Sequence, residues 1–165
     1  MTQPAPPQAP ADFPPPPGLV PMAQVRCRVD PVQTLGAASL GERRFVPLVG
    51  GTVTGPGLQG EIVPGGVDWQ IVRDDGTLEI AAHYVVRTPD GGLVEINSNG
   101  LRHGPPEVLA ALARGEAVPP SAYFFRTLMR FNTGAPAWRH LNKVMGIAVG
   151  QRQANEVILD VYQLG

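Results

Sequence analysis

Residues 67–99 read VDWQIVRDDGTLEIAAHYVVRTPDGGLVEINSN, three apolar-rich runs parted by two Asp-Gly pairs. Asp75-Gly76 and Asp90-Gly91 suit tight hairpins, because Asp and Gly accept the positive φ that primed turns demand. The stretch therefore predicts a three-stranded antiparallel meander. Within its first run, alternation places Asp68 and Gln70 on one face and Val67, Trp69 and Ile71 on the other.

The same rhythm of short apolar runs cut by turn signals extends in both directions from residue 22 to the C-terminal end, the pattern of an all-β sandwich or barrel. Nine strands are predicted, over 22–29, 45–54, 60–63, 67–73, 77–88, 93–99, 122–132, 144–152 and 156–163. One short helix is expected, with Pro105, Pro106 and Glu107 at its start, an apolar stripe of Val108, Leu109 and Leu112, and Gly115 as its stop. With so many strands and one helix, closing the sheet on itself removes exposed edges. The expected fold is a closed antiparallel β-barrel over residues 20–165. Residues 1–19 form a separate Pro-rich arm, with nine prolines between Pro4 and Pro21, expected to be extended or disordered.

The chain has 165 residues, enough for one domain with a core. Charged residues make up 16%, below the usual quarter, and the net charge is −1, so a basic face for nucleic acid or for an acidic membrane is not expected. Cys27 is the only cysteine, which excludes an internal disulfide and a multi-thiolate zinc site. It sits in the alternating run Val25-Arg26-Cys27-Arg28-Val29, where it is expected to pack. With no leader-like N-terminal pattern and no long apolar run, a cytoplasmic protein is expected.

Several chemical motifs are excluded by context. Residues 55–60, GPGLQG, match G-x-G-x-x-G, but a strand-like Glu61-Ile62-Val63 follows where a dinucleotide site needs a helix. Lys143, the only lysine, lies in no phosphate loop. His83, His103 and His140 lack metal-ligand spacing, and no serine sits in a nucleophile elbow. Neither a metal nor any other cofactor is expected.

What remains is a set of polar residues within apolar strands. Asp68, if it enters the barrel, acts as a general acid or base with a raised pKa, or else caps the preceding turn or pairs with an arginine. Arg126, in Tyr123-Phe124-Phe125-Arg126-Thr127, clamps an anion or pairs with a buried acid such as Asp68. Tyr84 either orients a ligand oxygen or packs with a satisfied hydroxyl.

The succession Gly50-Gly51, Gly55-Pro56, Gly60, Pro64-Gly65-Gly66-Val67-Asp68-Trp69-Gln70, Tyr84, Asp90-Gly91, Gly100, Phe125-Arg126-Thr127, Phe131 and Leu141-Asn142 resembles a bacterial and fungal family of small β-barrels, domain-of-unknown-function family 3237. The resemblance runs from Val20 to the C-terminal end, and Gly-Gly-x-Asp-Trp is its most specific part. It implies a calycin- or lipocalin-like barrel and no particular reaction. Asp68, Trp69, Tyr84, Arg126 and Asn142 carry over as motif positions. The chain departs from the family at His83, where arginine is expected, and in the spacing of Trp138 from Leu141-Asn142.

Three functions compete. In a small-molecule-binding barrel, Trp69, Tyr123 and Phe125 would supply apolar contact, and Gln70, His83, Arg126 and Asn142 polar contact to an aromatic or carboxylate-bearing ligand. In a cofactor-independent isomerase, cyclase or lyase, Asp68 would be the base, Arg126 the anion stabiliser and Tyr84 or His83 the acid. A structural protein would assemble through the arm or a barrel edge, and homodimerisation is compatible with all three.

Overall fold

A computed structural model describes Ala5 and residues 8–165. The strands are β1 (Leu19–Val29), β2 (Gln33–Ala38), β3 (Gly41–Thr54), β4 (Gly60–Val72), β5 (Leu78–Arg87), β6 (Leu93–His103), β7 (Phe124–Asn132), β8 (Met145–Arg152) and β9 (Glu156–Leu164). Neighbours pair antiparallel in the order β1-β9-β8-β7-β6-β5-β4-β3, and β1 pairs back onto β3 from Gln24↔Thr54 to Arg28↔Gly50. Eight strands thus close a barrel, and β2 hangs on β3 outside the ring. The helix α1 (Pro106–Ala113) and 3-10 segments at Pro120–Ala122 and Pro136–Lys143 complete the fold.

The predicted barrel is the observed one, and the strand list differs in two places. The Pro64-Gly65-Gly66 segment does not separate two strands: β4 runs through it, and the register with β5 slips between Val63 and Val67. Unpaired residues at such a bulge sharpen the bend of a closing sheet. The second difference is β2, whose Gly36-Ala37-Ala38 has little strand propensity and which forms only by pairing with β3.

Both Asp-Gly hairpins form, with three-residue loops in place of primed two-residue turns. Gly76 N–H donates to Arg73 C=O and Gly91 N–H to Thr88 C=O, each at 2.9 Å. Only the glycines take positive φ, 83° and 84°, while the aspartates stay on the negative side. Asp75 instead accepts from Thr77 N–H at 2.8 Å, so its carboxylate closes the loop.

The two ends of the barrel differ. At one end lie the Asp90-Gly91 loop and the residues Leu58 and Leu141, both almost wholly buried, with Val86, Val94, Ile96 and Met129 filling the interior above them. Burial of this size is the main favourable term in folding. The first and last strands of the barrel also meet here, where Leu19 pairs with Leu164 and Gly165 N–H donates to Gly18 C=O at 2.9 Å. At the other end cluster β2, the Asp75-Gly76 loop, α1 and the β8–β9 turn.

Residues 8–18 are exposed and carry no strand; the rest of the expected arm, residues 1–4, 6 and 7, lies outside the described residues. Among the described residues no helix is long and apolar enough to cross a membrane.

Candidate functional site

The lumen stays open toward the α1 end. Its cavity is lined mainly by apolar side chains and is partly continuous with solvent. A second hollow, between the barrel mouth and Leu109 and Leu112 of α1, shares Val32, Arg44, Arg102 and Arg152 with the first. These three arginines border both.

Strand parity sets what faces the cavity. On β4, Asp68 and Gln70 point inward and Trp69 outward; on β3, Arg44 lies inward with Val46 and Leu48. Arg44 faces Gln70 across the ladder. Its Nε donates to Gln70 Oε1 at 2.8 Å, and Gln70 Nε2 donates to Asp68 Oδ2 at 2.6 Å. Arg102 follows Ser98 and Gly100 on the inner face of β6, and Arg152 ends the inner row of β8 after Ala148 and Gly150.

Electrostatically the site is a cationic rim over one acid. Burial pushes the Asp68 carboxyl up to about 6, outweighing the hydrogen bonds from Gln70 and the Ala81 backbone and the fields of Arg102 and Arg152. Burial, then repulsion from Arg152 and Arg44, lowers Arg102 to about 10, which leaves it a cation at neutral pH. Burial also raises the Tyr84 phenol well above its ordinary range and pushes the Cys27 thiol up to about 12, so both stay neutral. Three buried polar atoms here have no partner within the protein: Asp68 Oδ1, Tyr84 Oη and Arg102 Nε.

The apolar wall includes Phe125, Ile80, Ala82 and Leu159. Phe125 is positioned by Gly150, because a Cβ there would lie 2.5 Å from the aromatic ring. The Arg102 guanidinium stands 5.9 Å from the same ring, a cation–π separation. Ser98 Oγ donates to Thr127 Oγ1 at 2.9 Å on the same β6–β7 wall.

Of the residues singled out from sequence, Asp68, Gln70, Tyr84 and Phe125 share the cavity. The others do not. Because Phe125 points in, Arg126 points out, where it stands 5.2 Å over the Phe124 ring and donates to Phe125 C=O at 2.9 Å. The anticipated Arg126–Asp68 juxtaposition is therefore absent. Trp69 packs outside on Phe45 at 5.1 Å with Arg43 above it. His83, on the outer face, pairs with Glu95 at 2.6 Å. Tyr123 is buried beside the lumen wall, where its hydroxyl accepts from Arg152 N–H at 2.9 Å.

Asn142 holds the segment after β7: its Oδ1 accepts from Thr133 N–H at 2.8 Å and its Nδ2 donates to Thr133 C=O at 2.9 Å. Asn142→Ala is expected to lower stability by about 1–2 kcal/mol and to leave the cavity intact. A thermal unfolding curve unchanged by the substitution would contradict that structural role.

Arg44, Arg102 and Arg152 escape the sequence reading, since Arg44 and Arg102 fall outside the predicted strands 45–54 and 93–99 although β3 and β6 include them, and Arg152 ends its strand, where charge ordinarily means solvent. Extending the β6 alternation two steps past Ser98 would have reached Arg102. Among the described residues, no group of three His, Cys, Asp or Glu side chains converges as metal ligands would.

The family model described as "Protein of unknown function (DUF3237)" matches residues 17–164, nearly the whole described barrel. The chain belongs to the DUF3237 family. A Rhodopseudomonas palustris UPF0311 protein is 38% identical over 140 residues, 85% of this chain and 92% of the relative. Its crystal structure, of a protein of unknown function, superposes with a TM-score of 0.86 at 35% identity, covering 93% of this DUF3237 chain and all of that one. A protein from Acinetobacter baumannii, described as beta-barrel like, gives 0.81 at 38% identity over 93% and 99% of the two chains. A Penicillium herquei structure, described as an enzyme, gives 0.71 at 20% identity over 94% and 99%, and shares the fold.

Proposed function

We propose that this DUF3237 protein holds a small molecule in its barrel, with the cavity beneath Arg44, Arg102 and Arg152 as the binding site. The observation that carries the reading is the convergence on one cavity of three buried polar atoms without protein partners, Asp68 Oδ1, Tyr84 Oη and Arg102 Nε. Each such atom costs about 1–3 kcal/mol when left unsatisfied, so a site that keeps three of them is suited to a polar guest. The test is a thermal-shift screen of the full chain against carboxylate and aromatic metabolites. A ligand at a hundred times its Kd adds about 2.7 kcal/mol. Hits are expected to disappear in Arg102→Gln and to persist in Arg126→Ala, whose side chain lies outside; the reverse pattern would refute the assignment.

The Asp68 carboxyl favours a second reading, a cofactor-independent enzyme working by proton transfer. A carboxyl poised near 6 exchanges protons readily at neutral pH. Here Asp68 takes the proton, Arg102 or Arg152 steadies the developing anion, and Tyr84 orients an oxygen as a hydrogen-bond donor. For any bound molecule found to turn over, Asp68→Asn should lower kcat by about 10²-fold or more while sparing binding. An Asp68→Asn protein with full turnover would leave only the binding reading.

A further inference from the structure

The ligand class follows from how charge and apolar surface are divided along the cavity. Three guanidinium groups occupy the mouth, and the one carboxyl among them neutralises at most one. Asp68 is engaged on Oδ2 by Gln70, and Gln70 is in turn engaged by Arg44. Arg102 has no carboxylate partner, and its Nε is buried and unpartnered. Arg152 reaches only the Ala154 carbonyl, at 3.3 Å. A half-buried excess of positive charge favours an anion that answers it, and a guanidinium fork matches a planar carboxylate in two parallel hydrogen bonds. Beside and between the arginines the wall is apolar, with Val46, Ile80, Ala82, Phe125 and Leu159. That surface gains nothing from a bare inorganic ion and a good deal from a hydrocarbon body.

We propose that the cavity takes an organic acid with an apolar body, its carboxylate held at the mouth by Arg44, Arg102 and Arg152 and its hydrocarbon part lodged between Phe125 and Ile80. The inference rests on the binding reading above and adds to it the ligand's charge and orientation. The head group stays next to the hollow under α1, so the molecule enters tail first past the arginine rim.

Calorimetric titration of the full chain tests this with matched pairs that differ only in charge: octanoate against octanamide, and 2-naphthoate against 2-naphthamide. Inorganic phosphate and benzyl phosphate form the third arm. At least one acid is expected to bind tenfold or more tighter than its amide. That advantage should fall to about threefold or less in both Arg102→Gln and Arg44→Gln, and survive in Arg126→Gln. Far-UV circular dichroism and a melting curve accompany each variant; should one arginine variant not fold, the other decides.

Acids and amides that bind equally well would overturn the charge assignment and leave the lumen reading standing. So would an acid advantage that persists in the folded arginine variants. Inorganic phosphate binding as tightly as the acids would overturn the apolar-body half of the inference. Benzyl phosphate binding in place of both acids would overturn the carboxylate. If no acid, amide or phosphate binds, the lumen reading falls together with this one.

Discussion

Gly100→Val is expected to destabilise the barrel severely. Gly100 faces Ile80 on one side and Thr127 on the other, in the unbroken ladder that joins β5, β6 and β7. A Cβ at this position would lie 1.9 Å from the Arg126 carbonyl oxygen and 2.7 Å from Thr127 Cα. Both are backbone atoms, fixed by the β6–β7 register and, through Thr127↔Ala148, by β8. A flexible side chain can swing away from an intruding methyl group, whereas a paired strand must part from its neighbour. In an open sheet the edge could peel outward, but a ring has no free edge on which to place the error. Overpacking alone costs about 1–3 kcal/mol; with broken ladder bonds added, the expected loss exceeds about 3 kcal/mol, a large share of a domain's total. Urea unfolding followed by far-UV circular dichroism checks it, and a midpoint close to that of the parent chain would refute the packing account.

The second large effect is a dependence of stability on pH that runs through one residue. Folding moves the Asp68 carboxyl from 3.8 to about 6, principally because burial disfavours its charge. Between those values the folded chain keeps a proton that the unfolded chain has released, so stability falls as pH rises. The contribution is complete below about pH 4 and is lost as pH passes through about 6. Its size is up to about 3 kcal/mol at 1.4 kcal/mol per pH unit. Asparagine carries no proton to lose, so Asp68→Asn should flatten this part of the profile. Denaturant unfolding of both proteins at pH 4 and pH 7.5 isolates the effect, because all other titrating groups are common to the two. The gap between their unfolding free energies should change by up to about 3 kcal/mol, in favour of Asp68→Asn at the higher pH. Parallel profiles would show that the carboxyl titrates alike in both states.

The fold was legible because strand alternation and loop glycines are local signals. Asp68 and Gln70 fall on the inner face by parity, and Gly76 and Gly91 mark loops whatever the turn type. Parity failed at Arg126, since Tyr123-Phe124-Phe125 is aromatic without a break and gives no hint of which ring points in. Observed parity instead makes Phe125 the wall and Arg126 the outer surface. The arginine rim was illegible for a different reason. Arg44, Arg102 and Arg152 are far apart in the chain, each beside a turn, and only closure of the ring brings three strand ends around one opening. A local reading assigns such residues to solvent one at a time, whereas a barrel mouth collects them. Trp69 and His83 show the converse, because neither alternation nor residue type distinguishes an outer aromatic stack or a surface ion pair from a ligand contact.

Gly18 and Gly165 are hydrogen-bonded at the filled end, opposite the arginine rim. The molecule therefore has a handle and a mouth on opposite poles. Anchored to a surface by its C-terminal end, it would present the opening to solution without a tether across it. With residues 1–17 removed, a short peptide bridge from Gly165 to Gly18 would close the barrel's backbone into a circle, which could then be cut open in a different loop with every strand of the ring retained. The same polarity separates what can be rebuilt from what cannot: α1, β2 and the loops beside them border the mouth and can be exchanged to change the guest, while the packed floor stays untouched.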